Sequence, residues 1–252
     1  MKPFAFLKIW WRNALVWRTH IMATLIGNLG QPLLFLLAMG YGLGHAVPAI
    51  DGLTYLQFLA PGLVASAVMY SAAFENTYGS YTRLSLQKTY EAILTTPMTM
   101  RDLALGEIAW GATKGLIAAL IMLAALPLFG LWPSPWVIAL LPILFIAGVF
   151  FAAFGLIMTA LANDYEFFNY FISLVVTPLF LFSGIFFPLD TLSPTARLIC
   201  EHLPLTPIVT LSRMFCYGRI EGPWLMKILG PLLLAVATVW LAIVLLRRRL
   251  IK

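Results

Sequence analysis

Six apolar runs of membrane-spanning length constrain this 252-residue chain most. They are residues 21–44, 58–80, 106–129, 136–161, 167–187 and 228–246. A hydrocarbon core of ~30 Å is crossed by about 20 helical residues, and no lipid-exposed backbone can stay unpaired there. The chain is therefore expected to be an all-α membrane protein of six transmembrane helices, forming a single domain over 1–252. Composition agrees. Hydrophobic residues make up 62%, charged residues 10%, and the mean hydropathy is +0.93. A soluble domain of this size would need surface charge that is missing here. The net charge of +6 is no nucleic-acid signal, because the basic residues gather at the ends of apolar runs, opposite lipid headgroups.

The stretch between the second and third runs, residues 81–105, is too charged for lipid and too patterned for a slack loop. Gln87 to Leu94 has helical composition, with Leu84, Lys88 and Glu91 on one face. Pro97 stops that helix and biases Thr96 away from the α region. Thr99 and Asp102 have capping-box spacing, so a second helix is expected to start there. The expected shape is helix, sharp turn, helix: either a knob that receives a push from a soluble partner, or an ordinary ordered connection.

Residues 1–20 read as an amphipathic interfacial helix, with Leu7, Trp10, Ala14, Trp17 and Ile21 at three- and four-residue steps, or as the flank of the first span. No cleavable signal is expected, and the first span would direct insertion. Asn28, Gln31 and Pro32 interrupt that span. The amides either satisfy the carbonyl freed by proline or face a polar pathway.

Glu75 lies ~7 Å inside the second span and Lys114 ~12 Å inside the third, at 1.5 Å per residue. The two spans run antiparallel, so these charges lie at compatible depths and are expected to pair, with Glu107 competing. The other reading is that Lys114 snorkels to the interface. Residues 188–227 carry five prolines and more apolar residues than charges, which fits short re-entrant or half-sunk helices better than a solvent loop. The aromatic outer end of the fifth span, with Phe180, Phe182, Phe186 and Phe187, suits either a gate for lipid-like or sugar cargo or a lipid-facing belt.

Lys and Arg set the orientation. With six spans, the N-terminus, residues 81–105 and the basic C-terminus share one side, which the positive-inside rule makes cytosolic in a bacterial inner membrane. Arg197, Arg213, Arg219 and Lys227 on the outer side are the discordant group. Cys200 and Cys216 also fall outside, either as a disulfide or as two buried thiols.

No catalytic constellation is visible, and no cofactor or metal site. Residues 106–113 have two phosphate-loop glycines, but Ala112 stands where the phosphate-binding lysine must be. Energy for uphill movement would have to come from elsewhere.

The runs FLAPGLVASAVMYSAAFENTYGSYTRL, KTYEAILTTPMTMRDLALGEIAWGATKG and ALANDYEFFNYFISLVVTPLFLFSGIFFPLDTL resemble the membrane subunit of type-2 ABC exporters, with the closest likeness to the NodJ group. The likeness covers nearly the whole chain. One departure is Pro207, where the family often has His, while Arg213 keeps its place. The resemblance implies two permeases and two ABC ATPase subunits, with ATP and Mg on the ATPases. It implies a coupling helix in the region of Lys88, Tyr90, Glu91, Thr95, Thr96, Pro97, Met98, Arg101 and Asp102, and export of a lipid-linked or amphipathic glycan. The alternatives are an exporter of a small hydrophobic compound or drug, or an ATP-independent secondary transporter.

Overall fold

The computed structural model describes residues 4–44, 46–220, 222 and 224–250, and within these all side chains except those of residues 23–29, 31, 41 and 43. The architecture among the described residues is helical throughout. Helix α1 (Phe6–Arg18) is followed by α2 (Ile21–Leu37), whose course continues as a π-helical turn, Ala38–Leu43. Helix α3 (Tyr55–Phe74) continues through two π-helical segments, Glu75–Gly79 and Thr82–Leu86. The short α4 (Thr89–Leu94) then leads to α5 (Met100–Ala125) and α6 (Val137–Leu161). Next come α7 (Glu166–Phe171), α8 (Thr177–Phe182), α9 (Pro194–Glu201), α10 (Thr206–Tyr217) and α11 (Trp224–Leu250).

Among the described residues, four stretches are long and apolar enough to cross a membrane: Tyr55–Leu86, Met100–Phe129, Val137–Leu161 and Trp224–Leu250. A shorter apolar helical stretch, Glu166–Phe182, covers most of the fifth run. It ends at Ser183, ahead of the expected Phe187, because Gly184 turns the chain at φ +74°. A π-helical segment, Ile172–Val176, widens the helix just before Pro178, which then occupies the first turn of α8.

Helices α3, α5 and α6 form the centre, where small residues let backbones approach. A Cβ on Gly148 would lie 3.0 Å from the Ala112 Cα, and one on Gly155 2.9 Å from the Ala73 carbonyl oxygen. Within residues 188–220 the chain forms the short helices α9 and α10. Helix α10 is the more deeply packed of them, burying Ile208, Val209, Leu211 and Phe215. Its Arg213 lies 3.7 Å over the Phe58 ring and donates to the backbone oxygens of Phe58 and Gly184 (3.0 Å each from Nη2), clamping α10 to α3 and the end of α8. Pro207 falls in the first turn of α10, where its missing N–H breaks no helical bond. Cys200 and Cys216 are both buried free thiols, so the disulfide alternative is set aside.

Candidate functional site

The site is built where α3 leaves its span. The first π-helical segment carries Glu75, and the second carries Arg83 back toward the same layer. Lys114 Nζ meets Glu75 Oε2 at 2.6 Å, so the expected pair forms. The expected competition from Glu107 is corrected. Glu107 instead pairs with Arg83, whose Nη2 lies 2.7 Å from Glu107 Oε2 and 2.9 Å from Glu75 Oε1. The result is a chain of alternating charge, Lys114–Glu75–Arg83–Glu107, with two cations and two carboxylates. Glu107 is 0% exposed. Its remaining acceptor capacity is met by Asn13 Nδ2 (3.0 Å to Oε1) and Ser80 Oγ (3.2 Å to Oε2). Trp110 Nε1 donates to Glu75 Oε1 at 3.1 Å. Buried charges persist when paired and hydrogen-bonded in this way.

Helix α1 closes over this network. Ile9 and Asn13 form its buried face, while Leu7 is exposed, so the inward stripe is offset from the one expected. Gly106 makes the approach possible, since a Cβ there would lie 2.6 Å from Ile9 Cβ and 2.9 Å from the Phe6 carbonyl oxygen. Trp10 Nε1 donates to Thr113 Oγ1 at 2.9 Å, and the Trp17 and Trp110 rings meet edge to face at 5.8 Å. Burial holds the Arg12 guanidinium below its ordinary pKa, with Glu107 opposing the shift.

The expected helix–turn–helix between the spans is present with altered boundaries. Lys88 is left-handed (φ +53°), so α4 starts at Thr89 and does not share a helical face with Leu84. The second helix of the knob is α5 itself, continuous with the third span from Met100. Its capping box forms as expected. Thr99 N donates to Asp102 Oδ2 at 3.0 Å, and Asp102 N to Thr99 Oγ1 at 3.1 Å.

Between the helices, Thr95 and Thr96 tie their hydroxyls back to the Ala92 and Ile93 carbonyls, at 2.8 and 2.6 Å. Pro97 is exposed at the tip and Met98 half-buried. Lys88 and Glu91, 64% and 59% exposed, form a 3.2 Å pair on the surface. Tyr90 is corrected from surface contact to packing residue, because it is wholly buried. Burial raises its phenol well above the ordinary value, and the nearby Glu107 carboxylate adds to the effect. Arg101 is exposed and borders a groove with Leu105, Phe145 and Trp240, away from the tip.

The outer aromatic residues separate. Phe180 and Phe186 join Phe35 in one cluster, with ring centroids 5.0–5.6 Å apart. Phe182 is exposed, and Phe187 borders a cleft of about 460 Å³ with Arg197, Glu201 and Arg213. The side chains of Asn28 and Gln31 lie outside the described ones. Arg83 and Asn13 are functional candidates that the sequence reading left out of the charge network. Among the described residues, no cluster of His, Cys, Asp or Glu could hold a metal.

A helical bundle with four helices long and apolar enough to cross a membrane among its described residues, and a folded knob between two of them, defines an α-helical integral membrane protein. Comparison gives the family. The ABC-2 type transporter model matches residues 5–216, and the chain belongs to that family. Nodulation protein J of Sinorhizobium fredii is 36% identical over 252 residues, covering 99% of this chain and 95% of that protein. Nodulation protein J of Rhizobium leguminosarum bv. viciae is also 36% identical, over 98% and 95%. The inner membrane transport permease YadH of Escherichia coli is 26% identical, over 84% and 77%.

Proposed function

We propose that this chain is the membrane subunit of an ATP-driven exporter that moves a lipid-linked or amphipathic glycan outward across the bacterial inner membrane. The relatives called Nodulation protein J support the cargo class by likeness. In this reading the chain crosses six times, with both termini and residues 81–105 in the cytosol. Two copies pair with two ABC ATPase subunits, which bind ATP and Mg.

The observation that carries the proposal is the rigid knob anchored to a buried ion network. Helix α4 and the Thr95–Pro97 turn stand between α3 and α5, and Arg83 and Glu107 tie those two helices together beneath it. When ATP draws the ATPase subunits together, force on the knob passes to both spans as one body, because breaking the network would strand a charge. Lys88 and Glu91 are exposed and their mutual pair is weak, so both can exchange partners at little cost.

The test is Glu91→Lys in the permease co-purified with its ATPase and reconstituted in liposomes. We expect membrane insertion and basal ATP hydrolysis to persist while cargo-dependent transport falls. Wild-type transport by this variant would remove Glu91 from the contact. Vigorous transport by the permease alone would overturn the ATP-driven reading.

A further inference from the structure

We infer that the cleft between α1 and the ends of α3 and α5 is a binding site for an oxyanion of the phosphate type. The cleft holds about 470 Å³ and is bordered by Arg12, Trp17, Glu75, Arg83, Trp110 and Lys114, among others. Three of these six are cations and one is a carboxylate. Four nitrogen atoms of its bordering residues are buried without an acceptor among the described residues: Arg12 Nε, Arg12 Nη1, Arg83 Nε and Trp17 Nε1. All four are donors. Such groups are rarely left unmatched, because a buried donor without a partner keeps the full cost of its lost hydration.

The carboxylates next to the cleft are already engaged by other donors. Glu75 already faces Lys114, Arg83 and Trp110. Glu107 faces Arg83, Asn13 and Ser80. Arg12 donates through Nη2 to Asn13 Oδ1 at 2.7 Å, which leaves Nε and Nη1 of a residue bordering the cleft without an acceptor. A donor-only surplus on two guanidinium groups and an indole calls for several acceptor oxygens on one compact group. Phosphate presents them, and arginine matches it in geometry as well as charge. Helix α1 has the tryptophans of an interfacial helix, so the headgroup of an anionic phospholipid is within reach of the cleft. A soluble phosphate is the other source of the same chemistry.

The site does not depend on the direction of transport or on the ATPase, and the test uses the permease alone. The full chain is placed in nanodiscs of phosphatidylcholine, with or without phosphatidylglycerol, and retained lipid is read by native mass spectrometry. A second arm adds inorganic phosphate to the phosphatidylcholine discs and reads thermal stability. Arg12→Gln removes the least engaged cation. Lys8→Gln removes an exposed charge of the same helix outside the cleft.

We expect phosphatidylglycerol retention to weaken about tenfold in Arg12→Gln, to stay unchanged in Lys8→Gln, and to be partly restored in Arg12→Lys. Stabilisation of the wild type by inorganic phosphate alone, lost in Arg12→Gln, supports the site with a soluble source. Equal loss in both glutamine variants means general headgroup attraction and overturns the site. So does wild type that neither retains the lipid nor responds to phosphate, since water then fills the cleft.

Discussion

Removing Arg83 tests the ion network directly. Arg83 Nη2 bridges Glu75 and Glu107 at 2.9 and 2.7 Å. In Arg83→Met, Glu75 keeps Lys114, but Glu107 retains only the neutral donors Asn13 and Ser80. One carboxylate with no solvent exposure then loses its ion pair and keeps only the longer-range attraction of Arg12. Breaking a buried pair from one side costs about 3–5 kcal/mol. For a chain of this size each kcal/mol moves Tm by roughly 2–4 °C, so the loss should be about 6–20 °C. Glu107→Gln alone strands Arg83 less, because Glu75 remains beside it. The double variant Arg83→Met/Glu107→Gln leaves Lys114 and Glu75 as a balanced pair and should recover part of the loss. The assay is thermal unfolding of all four proteins in one detergent, followed by intrinsic fluorescence. A coupling of about 1–3 kcal/mol supports direct contact. Losses that simply add would refute the reasoning.

Gly106→Val should push α1 off α5, since even its Cβ would collide with Ile9 and the Phe6 carbonyl; increased proteolysis within residues 6–18 and altered tryptophan emission would show it, and a native-like digest would refute the close contact. Cys216 offers a pH test. Burial pushes its thiol up to about 12, so it is neutral at ordinary pH and its thiolate fraction near pH 8 is about one in ten thousand. Alkylation of the folded protein at Cys216 should rise roughly tenfold per pH unit toward about 12, with no change in mobility on reduction; a reductant-sensitive shift would restore the disulfide reading.

Four of the six apolar runs, and the helix start at Thr99, were legible because their physics is local. Span lengths follow from bilayer thickness, and Thr99 with Asp102 fixes a helix start through its own backbone. The Glu75–Lys114 pair was legible from depth alone, as antiparallel spans with opposite charges at similar height have few other partners. Arg83 escapes the sequence pattern because an apolar run ending at Ser80 leaves it outside the span, whereas the helical course runs on to Leu86. Tyr90 enters only through the family resemblance, which does not tell a contact residue from one that packs inward, and Tyr90 is wholly buried. The cleft beneath α1 is a product of three elements distant in sequence, and no local pattern announces such a meeting.

The two wide turns of α3 have a geometric consequence beyond bringing Arg83 home. A π-helical turn carries an extra residue, and in an ordinary helix one residue is worth about 100° of azimuth. The heading of α4 therefore depends on how many surplus residues α3 stores below Phe74. Tightening either turn would screw the knob round its stalk as well as lift it, converting a small axial strain in one helix into a swivel at its tip.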